Sequence, residues 1–266
     1  MNHTVSANWL NKRLKDKNIK ILDASIKKEN IVIPGSKNMD LFQCFSSQTS
    51  KLPNTLPSAQ QFEKECQKLG VDSDSIVIIY DTKGVYSSPR AWWLFKIMGH
   101  KNVAVLDGGL PEWRRLNLPL ENNNNDLQQK GSFKSQFKPQ YLISYQEIVD
   151  NCKIPVFTIA DARAAGRFMG TEKEPRPHIN SGKIPHSINI PFEEVLENGK
   201  FKSQKELRNI FNKKNSKNNK LVFSCGSGLT ACIILLANNI IGENNLFLFD
   251  GSWTEWAESQ KLFVQE

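Results

Sequence analysis

At 266 residues the chain is long enough for one large or two modest domains. Its 39% hydrophobic and 23% charged residues are ordinary for a globular protein and disfavour disorder, and no apolar run approaches the ~18 residues of a membrane span. The formal charge of +8 comes from scattered lysines with no nucleic-acid-binding pattern, so it reads as a basic surface that draws in small anions.

Residues 1–10 lack the apolar centre of a secretion signal, and charged residues follow them. Five cysteines, an odd number with no CxxC and no ligand spacing with histidine, suit a reducing compartment without structural zinc. A cytoplasmic location is the expectation. Ile76-Val-Ile-Ile-Tyr80 reads as a buried strand ending at Asp81, and residues 90–99 as a helix. A second strand at 103–106 leads into Asp107-Gly-Gly-Leu-Pro-Glu-Trp113. After the polar run Glu121-Asn-Asn-Asn-Asn-Asp-Leu-Gln-Gln-Lys130, the same plan returns. A strand at 221–223 ends at Cys225, a small-residue loop follows, a helix begins near Thr230, and Asp250-Gly-Ser-Trp-Thr-Glu-Trp256 closes the copy.

The echoes keep their order. Asp107 and Asp250 are 143 positions apart, as are Trp113 and Trp256, and Asp81 precedes Cys225 by 144. Upstream, Ile21-Leu-Asp-Ala matches Ile159-Ala-Asp-Ala, and Ile33-Pro-Gly-Ser matches Ile184-Pro-His-Ser. An internal duplication accounts for all of them. Alternating strands and helices predict an α/β fold of two tandem domains, each a mostly parallel sheet flanked by helices. The expected division is a non-catalytic domain over 1–119, a flexible surface linker over 120–140 and a catalytic domain over 141–266. Ligands of such sheets sit beyond the strand C-termini, and only the second copy has a nucleophile there, because Asp81 occupies the position in the first.

Cys225 stands where a strand end, a glycine loop and a helix start coincide. Gly226 and Gly228 permit dihedrals closed to other residues, so the loop N–H groups are expected to turn inward around the sulfur, with Thr230 capping the helix. Such a setting favours a thiolate, and equally a persulfide anion. Cys44, Cys66, Cys152 and Cys232 are expected to be inert buried thiols.

Over nearly its whole length the chain resembles the two-domain rhodanese superfamily. The resemblance rests on Val5-Ser-Ala-Asn-Trp-Leu, residues 90–99, Asp107 to Trp113 and Asp161-Ala-Arg-Ala-Ala-Gly-Arg167-Phe. It continues through Gly170-Thr-Glu-Lys-Glu-Pro-Arg176, Cys225-Gly-Ser-Gly-Leu-Thr-Ala and Asp250 to Trp256. The uncharged Gly226 and Ser227 are similar to the 3-mercaptopyruvate sulfurtransferases of that superfamily. Its thiosulfate-using members instead place cations after the cysteine. Leu229 replaces the usual valine.

The resemblance implies that Cys225 takes the sulfur of 3-mercaptopyruvate as a persulfide, held by the amides of Gly226, Ser227, Gly228, Leu229 and Thr230. It implies that Arg167 and Arg176 bind the carboxylate and ketone oxygens, which suits a planar guanidinium. Both lie on a segment roughly fifteen residues longer than its counterpart in the first copy. Arg163 is expected to be structural. Ser227 would orient or protonate the departing group. The outer sulfur would then pass to a thiol such as reduced thioredoxin, or to cyanide, with no metal or organic cofactor. The family has a histidine ahead of Ile-Pro-Gly in its first half, linked with an aspartate to the loop serine as a proton relay. Val32 stands there in this chain, Lys183 stands at the second-half counterpart, and neither His178 nor His186 is assigned as a base.

Three other readings compete. A thiosulfate:cyanide sulfurtransferase would share the fold and the cysteine. A cysteine-loop phosphatase needs C-x5-R, but Ala231 occupies the arginine position. A persulfide-carrier module would keep Cys225 without turning over a donor of its own.

Overall fold

The structure, a computed structural model, describes residues 1–123, 129–215 and 219–263, so residues 124–128 of the expected linker lie outside the described residues. Two units divide the chain. One takes 1–48, 56–138 and 196–201, and the other takes 49–55, 139–195 and the chain from 202 onward. The segment Thr49–Thr55 thus belongs with the second half, and Leu196–Phe201 with the first.

In the first unit the strands are β1 (Thr4–Val5), β2 (Ile19–Asp23), β3 (Ile31–Val32), β4 (Ser36–Asn38), β5 (Ile76–Tyr80), β6 (Val103–Leu106) and β7 (Glu121–Asn122). The helices are α1 (Ala7–Asn11), α2 (Ala59–Lys68), α3 (Ser88–Ile97) and α4 (Gly109–Arg115). Five strands form a sheet in the order β1-β6-β5-β2-β4, every neighbouring pair parallel. The central strands β5 and β6 are almost unbroken runs of aliphatic residues because both their faces are covered. Helix α3 packs against both strands and is itself buried nearly all round, Trp92, Trp93, Leu94 and Phe95 included. Asp23 ends β2, and Asp81 and Asp107 follow β5 and β6, all at the sheet's C-terminal edge.

The second unit repeats this order. Its helices are α5 (Tyr145–Lys153), α6 (Ala165–Met169), α7 (Gln204–Lys214), α8 (Ala231–Ile240) and α9 (Ser252–Phe263). Its sheet strands are β8 (Thr158–Asp161), β9 (Ile188–Asn189) and β12 (Leu221–Ser224), while β10 (Leu196–Glu197) and β11 (Lys200–Phe201) form the hairpin that belongs to the first unit. The parallel order β12-β8-β9 is extended by single bridges from Phe223 to Leu248 and from Leu248 to Leu142. Leu248 and Leu142 thus occupy the places of β6 and β1. Capping boxes at Ser144–Glu147 and Ser203–Glu206 start α5 and α7, each satisfying orphan N–H donors from both directions. The core joins Ile148, Ile159, Val222, Phe249, Trp253 and Trp256. No described helix is long and apolar enough to cross a membrane.

The second part of the expected linker is not a loose connection. Gly131 and Phe133 donate to the carbonyls of Gln67 and Val71, and Gln136 and Lys138 donate to those of Met98 and Ile97. Gly131 lies so close that a Cβ there would stand 2.1 Å from the Val71 carbonyl oxygen. Polar composition hid this strap because it is held by backbone hydrogen bonds and by polar side-chain bonds such as Ser132 to Asp72 and Lys134 to Glu63. Its apolar anchor is Phe133, which is buried and packs edge-on against Phe62 and Phe95. Truncating it leaves a cavity among Phe62, Phe95 and the His100 ring, so Phe133→Ala should cost about 3–5 kcal/mol in denaturant unfolding. A loss under ~1 kcal/mol would show that the strap contributes little to the unit it covers.

Candidate active site

Strand β12 lies beside β8, with Ser224 level with Asp161, and leaves the sheet at Cys225. The loop that follows is fastened to the start of α9. Trp253 N–H donates to the Cys225 carbonyl at 2.9 Å, and Thr254 donates to the Gly226 carbonyl through its N–H at 3.1 Å and its hydroxyl at 2.6 Å. These loop carbonyls therefore satisfy the first donors of the helix. All described peptide bonds are trans, and across a trans peptide the N–H of one residue opposes the preceding carbonyl. With the Cys225 and Gly226 carbonyls aimed at α9, the N–H groups of Gly226 and Ser227 face away from it. That is half a cradle for an anion.

Ser252 completes the clamp from within. Its hydroxyl accepts from the N–H groups of Cys225 and Gly228, both at 3.1 Å, and donates to the Phe249 carbonyl at 2.9 Å. Ser252 takes a left-handed φ of 53°, which costs a non-glycine residue roughly 1–2 kcal/mol. Its counterpart in the first copy is Gly109, at φ 50°. The strained serine is kept for its hydroxyl, and the difference between Asp-Gly-Gly in the first copy and Asp-Gly-Ser in the second was the sequence signal for it.

The first copy shows what such a loop holds. After β5 the Asp81 carboxylate accepts from the N–H groups of Lys83, Tyr86, Ser87 and Ser88 at 2.8–3.0 Å, and from the Ser88 hydroxyl at 2.7 Å. A loop at a strand end, leading into α3, is closed around its own buried anion. Cys225 occupies that place in the second copy.

Three arginines were singled out in the sequence. Arg163 has a fully buried side chain that bonds both oxygens of Asp161, Glu174 Oε1 at 2.7 Å and the Gly182 carbonyl at 2.7 Å, with Trp253 stacked 4.5 Å away. Burial opposes its charge, but the Asp161 and Glu174 carboxylates outweigh that and raise its pKa. Its role is structural. Glu174 also holds Arg167, whose Nη2 lies 2.6 Å and Nε 3.2 Å from Oε2. One buried carboxylate thus sets two guanidiniums, and sequence reasoning missed it because nothing in the sequence shows that Glu174 is buried.

Arg167 and Arg176 both approach the loop. Arg167 Nη2 would be 2.8 Å from a Cβ on Gly226, so a side chain there would displace the guanidinium that Glu174 holds. Arg176 Nη1 reaches the Thr254 hydroxyl at 3.3 Å, and that hydroxyl bonds the Gly226 carbonyl. Arg167 thus stands beside the residue that follows Cys225, and Arg176 is linked to that residue through Thr254.

Other expectations are corrected. Thr230 has helical backbone and makes no side-chain capping bond, so α8 starts instead with tight turns from Cys232 and Ile233 back to Leu229 and Thr230. The Gly228 N–H, expected to face the sulfur, is held by Ser252. Cys225, expected to be reachable, keeps only 1% of its surface, while its loop neighbours Ser227, Leu229 and Thr230 form a partly exposed rim. Val32 is buried in β3 opposite Glu121. His178 is largely exposed beside Glu258 at 3.2 Å, His186 is exposed, and Lys183 lies over Phe168. The partner that the structure gives Ser227 is Asn54, whose Nδ2 lies 2.9 Å from Ser227 Oγ.

The Rhodanese-like domain model matches residues 6–116 and again 144–259. The chain is 41% identical over 238 residues to the 3-mercaptopyruvate sulfurtransferase of Homo sapiens, spanning 88% of this chain and 80% of that protein. It is 33% identical over 294 residues to the thiosulfate/3-mercaptopyruvate sulfurtransferase 1, mitochondrial, of Arabidopsis thaliana, spanning 98% and 77%. A crystal structure from Escherichia coli, described as showing the rhodanese fold of 3-mercaptopyruvate sulfotransferases, shares 33% identity and a TM-score of 0.85 over 95% of this chain and 99% of that one. With both halves matched and the parallel sheets in the same strand order, the chain belongs to the rhodanese-like family, in its two-domain form.

Proposed function

We propose that the protein is a 3-mercaptopyruvate sulfurtransferase whose residues 141–266 carry the chemistry and whose residues 1–119 form a non-catalytic domain. The observation that carries this reading is the approach of two guanidiniums to the loop, Arg167 against Gly226, the residue next to Cys225, and Arg176 linked to Gly226 through Thr254. An α-keto acid offers two oxygen-rich groups to two cations, whereas thiosulfate offers one compact dianion. The names of the human and Escherichia coli relatives support the same donor.

Cys225 sulfur attacks the sulfhydryl sulfur of mercaptopyruvate. The S–S bond forms as the S–CH2 bond breaks, and the released electron pair moves onto the carbonyl to give pyruvate enolate. Arg167 and Arg176 meet the carboxylate and the enolate oxygen. Glu174 occupies the Nε–Nη2 edge of Arg167, so Nη1 is the side offered to substrate. The enolate takes a proton from water at carbon, and pyruvate leaves. Cys225 retains a persulfide, whose charge is met by the amides of Gly226, Ser227, Leu229 and Thr230 with the start of α8 behind them. The Gly228 amide, engaged by Ser252, holds the loop's shape.

An acceptor thiolate then attacks the outer sulfur and returns the Cys225 thiolate. Reduced thioredoxin is the acceptor proposed, and cyanide serves equally, giving thiocyanate. The cycle uses no metal or organic cofactor. The proposed setting is cytoplasmic and reducing, on the odd cysteine count and the lack of CxxC pairs in the sequence. Because Cys225 is almost covered, the donor enters over the rim formed by Ser227, Leu229 and Thr230.

Cys225→Ser should abolish pyruvate release from mercaptopyruvate, and substantial residual turnover would contradict the nucleophile. Arg167→Gln and Arg176→Gln should each lower kcat/KM for mercaptopyruvate by roughly 10- to 100-fold, the worth of one charge-assisted contact. Wild-type protein should prefer mercaptopyruvate to thiosulfate in kcat/KM. A thiosulfate preference, with both variants unaffected on mercaptopyruvate, would replace this reading with that of a thiosulfate sulfurtransferase.

A further inference from the structure

Ser227 is the loop residue whose hydroxyl stands on the rim of the candidate site, and what orients it comes from a distant part of the chain. Asn54 Nδ2 lies 2.9 Å from Ser227 Oγ and 3.4 Å from the Ser227 carbonyl oxygen, across 173 residues of sequence. A backbone carbonyl only accepts, so the amide must present its NH2 end to Ser227. Asn54 is the donor in both contacts, and Ser227 Oγ is the acceptor. The segment that delivers it is braced internally: the Thr55 hydroxyl donates to Ser50 Oγ at 2.8 Å and to the Leu52 carbonyl at 2.7 Å, and Leu52 N–H donates to Ser50 Oγ at 3.1 Å. Asn54 has φ 59°, a conformation that asparagine and glycine tolerate best. Backbone conformation and side-chain direction are therefore set together.

We infer that Asn54 is a positioning residue for the sulfur-transfer site: by donating to Ser227 Oγ it fills one lone pair and leaves the Ser227 O–H as a hydrogen-bond donor to the departing group. The inference rests on the sulfurtransferase reading above. A carboxamide neither gains nor loses a proton across the working pH range, so it orients the hydroxyl and relays nothing. Ser227 then donates a hydrogen bond, not a proton, and the enolate takes its proton from water. The Asn54–Ser227 pair adds no ionisation to the pH profile of kcat.

The test is a double-mutant cycle on the full chain, with Asn54→Gly and Ser227→Ala, followed by pyruvate release from mercaptopyruvate. Glycine suits the left-handed backbone at position 54, so the side chain is removed without imposing strain. Asn54→Gly alone should lower kcat several-fold with KM little changed, and should lower it no further when Ser227 is already alanine. Asn54→Asp retains the size but turns the donor into an acceptor, draws the Ser227 O–H to itself and should lose as much. Wild-type kcat in Asn54→Gly, or an equal loss in both backgrounds, would overturn the inference while leaving the sulfurtransferase reading intact. A wild-type protein that releases no pyruvate would instead remove that reading. The side-chain amide resonance of Asn54, recorded without substrate, separates the two cases. Ser227→Ala should shift it, and an unshifted resonance would refute the contact itself.

Discussion

The loop after β12 has one conformation because α9 needs it. A helix begins with N–H groups that have no partner within it, and here Trp253 and Thr254 find theirs in the carbonyls of Cys225 and Gly226. Peptide planarity then directs the Gly226 and Ser227 amides to the opposite side, without any further interaction. Ser252 adds a hydroxyl inside the bend, at the cost of a left-handed backbone, and takes the Cys225 and Gly228 amides. The Thr254 hydroxyl links this clamp to Arg176, and Gly226 leaves space for Arg167. Every proposed role in the second unit follows from how this short stretch is held.

The two copies make the same argument from opposite directions. In the first, the Asp81 carboxylate is buried with four backbone amides and a hydroxyl around it, a complete and permanent anion site. In the second, the corresponding position holds a thiol that can gain and lose a sulfur atom. A fold whose loop already accommodates negative charge needs only a change of side chain to hold a transient anion instead of a fixed one. The alternating series of buried Asp161, Arg163 and Glu174 and part-exposed Arg167 belongs to the second copy and brings a guanidinium to the loop without leaving a buried charge unpaired.

The repeat, the alternation of strands and helices, and the placing of Cys225 at a strand end were legible in the sequence. They depend on local pattern: aliphatic runs such as Ile76–Tyr80, small residues at 226–228, and equal spacing between matching motifs. What the sequence hid depends on long-range packing. Asn54 meets Ser227 across 173 positions, and no periodicity reports such a contact. Glu174 looks like one more acid in a charged run until burial shows it between two arginines. Gly131 to Lys138 reads as linker because its composition is polar, and its backbone and side-chain hydrogen bonds go to residues far off in the sequence. The burial of Cys225 was also invisible, since it depends on tertiary packing around the loop.

The central claim is that Cys225 leaves the first half-reaction carrying one sulfur atom taken from an α-keto acid. Mass spectrometry of the intact chain after mercaptopyruvate is added without any acceptor tests it most directly. The account predicts a gain of one sulfur atom per chain, located on the peptide containing Cys225, with one pyruvate released for each. An unmodified chain, or sulfur found on Cys44, Cys66, Cys152 or Cys232 instead, would contradict it.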